Sequence, residues 1–250
     1  MTPHSRGRNV ALLVVVVLVG GFVAWGLYVG TRPRPPLRLR PADVIVADPP
    51  APGHDPSSAT AAKQPSDSAG PVVSPQWVTR TATRSGVPSP AVRAYGTATL
   101  RMAQEDPSCH LGWTTLAGIG WVESQQGTID GRVLEADGRP DRAITGVELD
   151  GSGDVAAVPD GSGGFQRALG PLQFIPSTWA TWATDGDGDG VADPQDVDDA
   201  ALAAARYLCS SGDDLASASG WSAAVFSYNH SDDYVNAVYD AAKAYADRTA

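Results

Sequence analysis

The sequence predicts a mainly α-helical domain with a minor β element, set behind an apolar N-terminal run and a linker. Three observations predict it. Helix start and stop signals frame two segments between Ser89 and Gly127. Four more segments between Pro176 and Asp247 are helical by pattern. The stretch between them, 128–168, is rich in Gly and Asp and holds only short apolar fragments such as Ala143–Val147, which predicts loop with a small hairpin. A chain of 250 residues has room for one ordinary domain plus attachments.

Residues 1–9 form a short polar start, and the run Val10–Val29 holds no charged residue. About 20 helical residues span roughly 30 Å, the thickness of a bilayer core, so 10–30 reads as a transmembrane anchor. A cleaved signal peptide is the competing reading, but its apolar core is usually only about 7–15 residues long and is followed by a small-x-small site. No Cys follows the run, which argues against a lipoprotein anchor. Arg6 and Arg8 precede it, whereas Arg32, Arg34, Arg38 and Arg40 follow it, a balance that taken alone would hold the body inside the cell. The cysteines and the acidic loop described below favour the outside instead, and the extracytoplasmic placement is the one adopted. Residues 31–76 are dense in Pro, Ala, Ser and Asp, a composition that cannot bury enough surface to order itself and that reads as a linker.

The domain proper is expected over 77–250. Ser89-Pro90 reads as a capped helix start, opening a helix through Glu105. Asp106-Pro107-Ser108 breaks the chain. Leu111–Gln126 reads as the second helix, stopped by Gly127, with Leu116, Ile119 or Gly120, and Glu123 on one inward face. Pro176–Ala183, Val197–Cys209, Ser219–Tyr228 and Asp232–Asp247 follow as helices. The tryptophans Trp113, Trp121, Trp179, Trp182 and Trp221 read as core rather than as sugar platforms.

The formal net charge is −10; residues 1–42 hold six arginines and no acid, which leaves −16 on residues 43–250. So acidic a body argues against nucleic acid or an anionic membrane surface as its main partner. Two cysteines, Cys109 and Cys209, suit one disulfide in an oxidising compartment, with two buried thiols as the alternative.

Two features carry chemistry. Asp185-Gly186-Asp187-Gly188-Asp189-Gly190-Val191-Ala192-Asp193-Pro194-Gln195-Asp196 matches an EF-hand calcium loop. Asp185, Asp187, Asp189, Asp193 and Asp196 offer side-chain oxygens, Val191 its carbonyl, and Gly190 takes the sharp turn. Asp196 is one methylene shorter than the usual Glu, and a solvated acidic loop is the plain alternative. The second feature is Glu123, a carboxyl at the end of an apolar helix. Burial would raise its pKa and let it hold a proton near neutral pH. A surface Glu at a helix end is the competing reading. His110 and His230 read as structural. No zinc, phosphate-loop or nucleophile-elbow signature is present.

Three blocks together resemble the membrane-bound B-type lytic murein transglycosylases, above all their actinobacterial relatives. They are Gly118-Ile119-Gly120-Trp121-Val122-Glu123-Ser124, then Arg167–Trp179 with Gly170-Pro171-Leu172-Gln173-Phe174-Ile175-Pro176, then Phe226-Ser227-Tyr228-Asn229-His230-Ser231-Asp232-Asp233-Tyr234-Val235. The likeness spans about residues 76–247. It implies a goose-lysozyme-like helical fold and cleavage of the β-1,4 bond between N-acetylmuramic acid and N-acetylglucosamine in peptidoglycan. By motif, Glu123 resembles the single catalytic acid, and Ser124, Gln173, Tyr228, Asn229 and Tyr234 resemble residues lining the sugar cleft. A structural Ca²⁺, peptidoglycan strands as partner, and a monomer are expected with it. Two alternatives stay open: a muramidase using a second carboxylate, Asp141 or Glu148, and an inactive calcium-stabilised wall-binding module.

Overall fold

The computed structural model describes residues 70–152 and 157–250, all within a unit spanning Leu39–Ala250. The expected anchor (10–30) and nearly all of the expected linker (31–76) lie outside the described residues. Among the described residues no helix is long and apolar enough to cross a membrane.

Among the described residues seven α-helices and a two-stranded sheet make the body, one helix more than the six the pattern predicts. Helix α1, Pro75–Ser85, was not expected, and it takes Pro75 and Gln76 from the linker. Its signals are local: Ser74 caps it by accepting the Trp77 N–H, Pro75 stands in the first turn, and Gly86 ends it in the left-handed conformation. Helix α2 runs Ser89–Glu105. Pro88 rather than Ser89 occupies the cap position, and no side chain caps this helix; Ser89 is already inside it.

Helix α3, Trp113–Ser124, is the centre of the fold. Every residue from Trp113 to Gly120 is buried, on all faces, so the helix carries no single inward stripe. Only its last turn emerges, with Val122 and Glu123 partly exposed and Trp121 48% exposed, a correction to the core assignment of that tryptophan. The helix ends at Ser124, earlier than Gly127. Gln125 and Gln126 both turn left-handed, and their N–H groups close on Trp121 O and Gly120 O. The side chain of Gln126 explains this costly conformation. It is buried, donates to Ala117 O and the Tyr245 hydroxyl, and accepts from the Tyr95 hydroxyl.

The expected hairpin is present as β1, Thr145–Glu148, paired antiparallel with β2, Arg167–Leu169, with an irregularity between the two recorded pairs. Helix α4, Pro176–Trp182, is followed by the aspartate loop and by α5, Val197–Ser211; α6, Ala218–Tyr228, and α7, Asp232–Thr249, complete the chain. Helix α3 packs along α7, and α2 along α5. The first contact is close because Gly118 has no side chain; a Cβ there would meet Val238 O at 2.7 Å. Trp77, Trp113 and Trp221 are fully buried, whereas Trp179 and Trp182 lie half-buried against the core. Cys109 and Cys209 form a disulfide that ties the segment before α3 to the end of α5.

Candidate active site

Glu123 emerges where the last turn of α3 leaves the core. The Tyr234 hydroxyl, on the first turn of α7, donates to Glu123 Oε1 at 2.6 Å. Among the described residues Oε2 makes no hydrogen bond, so one carboxyl oxygen stays free for a ligand. Burial raises the Glu123 pKa to about 7, and the hydrogen bond from Tyr234 opposes that rise without cancelling it. A carboxyl of this kind is protonated about half the time at neutral pH, the condition a general acid needs.

The three sequence blocks meet here. Ser124 Oγ donates to Pro171 O at 2.5 Å and accepts from Gly127 N at 2.8 Å, which fixes the turn after Glu123 to the Gly170–Phe174 segment. The Tyr228 hydroxyl donates to Leu172 O at 2.8 Å, and its ring lies edge-on to Phe174 and parallel to Tyr234, 6.5 Å away. Burial raises the pKa values of Tyr228 and Tyr234 well above the usual phenol range, and the Glu123 charge adds to both. Both therefore stay protonated as donors.

Gln173 sits on the same segment with a positive φ of 50°, its side-chain amide donating to Gly170 O at 2.8 Å. Asn229 is the exposed residue that caps the C-terminus of α6, and its side chain makes no hydrogen bond among the described residues. Of the carboxylates offered for a hydrolase, Glu148 is exposed and paired with Arg167 at 3.1 Å, and Asp141 is paired with Arg142 at 3.6 Å.

Replacing Tyr234 by Phe removes a donor that favours the ionised carboxyl. The Glu123 pKa then rises, and the alkaline limb of a pH–rate profile is expected to move above pH 7. A profile that stays put, or moves to lower pH, would detach Tyr234 from the acid.

The aspartate loop lies before α5, and the carboxylates that converge there include one from outside the loop. Oxygens of Asp185, Asp187 and Asp199 lie within 4.8 Å of one another. The sequence reading does not include Asp199, in the first turn of α5, and gives the closing position to Asp196. Asp196 caps α5 by accepting the Asp198 N–H, is fully buried, and faces Arg139 at 3.4 Å. Asp193 and Asp189 face the same guanidinium at 3.5 and 3.6 Å. A turn of α5 brings Asp199 back over the loop, where it accepts from Gly186 N and Asp193 N. The signal was the run Asp196-Val197-Asp198-Asp199, in which an N-cap and a ligand compete for the same role. Burial pushes Asp196 up to about 7 and Asp199 up to about 6, and a cation beside them would favour their ionised forms. Three converging carboxylates fit a hard divalent cation that takes oxygen ligands.

A family model described as the transglycosylase SLT domain matches residues 153–225. That span takes in Gln173 and the aspartate loop and stops short of Glu123, Tyr228 and Tyr234. Among solved structures the chain is similar to the Escherichia coli lytic transglycosylase Slt35 in complex with bulgecin A, at 16% identity over 71% of this chain and 76% of that one, with a TM-score of 0.42. The same enzyme in complex with calcium gives 15% identity, the same coverages and a TM-score of 0.43. No curated protein matches the chain.

Proposed function

We propose that the protein is a peptidoglycan lytic transglycosylase that uses Glu123 as its single acid and base. The observation that carries this reading is a protonatable carboxyl with a pKa of about 7, set where three separate sequence blocks converge. The match to the transglycosylase SLT domain supports the class of reaction.

Most glycosidases employ two carboxyl groups. Here one suffices. Glu123 gives its proton to the glycosidic oxygen, and the C1–O bond breaks with its electron pair leaving on that oxygen. The N-acetyl oxygen of the muramyl residue supports the anomeric carbon meanwhile. The carboxylate then takes the proton of the muramyl 6-hydroxyl, whose oxygen closes on C1 as the 1,6-anhydro sugar. No water is consumed, and Glu123 ends protonated as it began. The internal hydroxyl reacts as if at a concentration far above that of water. Asn229, with its free amide, orients the N-acetyl group, and Gln173 and Tyr228 line the sugar path.

Asp185, Asp187 and Asp199, with the carbonyl of Val191, hold a Ca²⁺ that neutralises the loop and braces it. The fold is of the goose-lysozyme kind, within the B-type branch of actinobacterial enzymes. The chain acts as a monomer, anchored by 10–30, with its disulfide-bonded body facing the cell wall.

Mass analysis of muropeptides released from purified peptidoglycan tests the chemistry. Products lighter by one water than reducing-end muropeptides are expected. Reducing-end products alone would make the protein a hydrolase, and sedimentation with the wall without release would leave only a binding module.

A further inference from the structure

We propose that Gln195 is a positioning residue that couples the cation loop to the segment carrying Gln173, so that divalent cation binding tightens the hold on glycan. This rests on the proposed glycan cleavage and Ca²⁺ site. Gln195 touches neither the converging carboxylates nor Glu123. Its carboxamide is instead used up on one backbone residue. Nε2 donates to Ile144 O at 2.8 Å, and Oε1 accepts from Ile144 N at 2.8 Å.

On one side the connection runs back to the cation ligands. Gln195 N donates to Asp193 Oδ1 at 2.9 Å, and Asp193 N donates to Asp199 Oδ2 at 2.8 Å. On the other side it runs to the sugar-facing segment. Ile144 O also accepts from Gly170 N at 2.9 Å, and Gly170 O accepts from both Gln173 N and Gln173 Nε2. The two sides press together as well. A Cβ on Gly170, whose φ is +76°, would lie 1.6 Å from Pro194 O, so only glycine allows this contact. The next two carbonyls, Pro171 O and Leu172 O, are the acceptors for Ser124 and Tyr228 beside the acid.

Asp199 is the hinge of the coupling. Its oxygens hold Gly186 N and Asp193 N while they also face Asp185 and Asp187. Without a cation, repulsion among the three carboxylates loosens Asp199 and with it the Asp193–Gln195 backbone. With a cation, the loop end is fixed and Gln195 holds Ile144 and Gly170 in place. Coupling between two ligands is reciprocal, so glycan must in turn tighten cation binding.

The test uses the full chain and the variant Gln195→Met, which keeps length and loses both hydrogen bonds. Hydrogen exchange and calorimetry are run with and without Ca²⁺, with the N-acetylglucosamine hexamer as glycan probe. In the wild type, Ca²⁺ is expected to slow exchange at Gly170 and Phe174 and to raise hexamer affinity about fivefold. In Gln195→Met both responses are lost, while the Ca²⁺ dissociation constant measured without sugar stays within about twofold, which also reports an intact fold. Retention of the responses in Gln195→Met overturns the coupling, as do wild-type amides that ignore bound Ca²⁺. Amides that respond in a protein that binds no hexamer would uphold the Gln195 link and strike the glycan reading alone.

Discussion

Glu123→Gln is expected to reduce glycan cleavage by about 10²–10⁴-fold, the usual contribution of a positioned general acid, while binding of glycan persists. The substitution keeps the shape and the acceptor oxygen for Tyr234 but removes the proton that moves. It also carries a stability signature of definite sign. Burial raises the folded-state pKa to about 7 from the ordinary glutamate value of 4.5. An acid shifted upward binds its proton more tightly in the fold. Its contribution to stability is complete below about pH 4.5 and is lost as pH rises through 7. Gln cannot ionise, so the variant is expected to match the wild type at pH 4 and to exceed it at pH 8, by on the order of 2–3 kcal/mol if the carboxyl stays shielded from solvent. Denaturant melts at the two pH values read this directly. Normal cleavage by the variant would end the catalytic assignment, and a variant no more stable at pH 8 would deny the buried, proton-holding carboxyl.

Removal of calcium is expected to lower the thermal midpoint by roughly 5–10 °C. At a free Ca²⁺ concentration a hundredfold above the dissociation constant, binding stabilises the fold by about 2.7 kcal/mol. In a body of this size each kcal/mol moves the midpoint by about 2–4 °C. The physical source is the cluster Asp185, Asp187 and Asp199, whose carboxylate oxygens converge within 4.8 Å. Arg139 serves the other three aspartates, Asp189, Asp193 and Asp196, at 3.4–3.6 Å. The two groups can be told apart. Asp199→Asn should weaken Ca²⁺ binding strongly, whereas Asp196→Asn should unsettle the start of α5 with little loss of Ca²⁺ affinity. The reverse order in a calorimetric titration, or a midpoint indifferent to chelation, would refute this ligand set.

Part of the site could be read along the chain because its signals are local. The aspartate spacing and the Glu at the tip of an apolar helix need no knowledge of what lies opposite. The same local reading failed where a long-range contact competes. The sequence ends α3 at Gly127 because glycine is the cheapest left-handed residue; the left-handed run begins two residues earlier, at Gln125 and Gln126, because Tyr95 and Tyr245, from two other helices, fill the hydrogen-bonding capacity of Gln126. Loop arithmetic gives the closing position to Asp196 because it counts residues and cannot weigh Arg139 or the demand of α5 for a cap, and it does not reach Asp199.

The order of helices, the candidate acid and the calcium-like loop were set by short-range pattern, since propensity, capping and ligand spacing act over a few residues. Which carboxylates converge, which oxygen of Glu123 is occupied, and how Gln195 joins the loop to the Gln173 segment were decided by packing. Those contacts join residues as far apart as Glu123 and Tyr234, and burial and hydrogen-bond partnership at that range exist only once the helices have closed on one another.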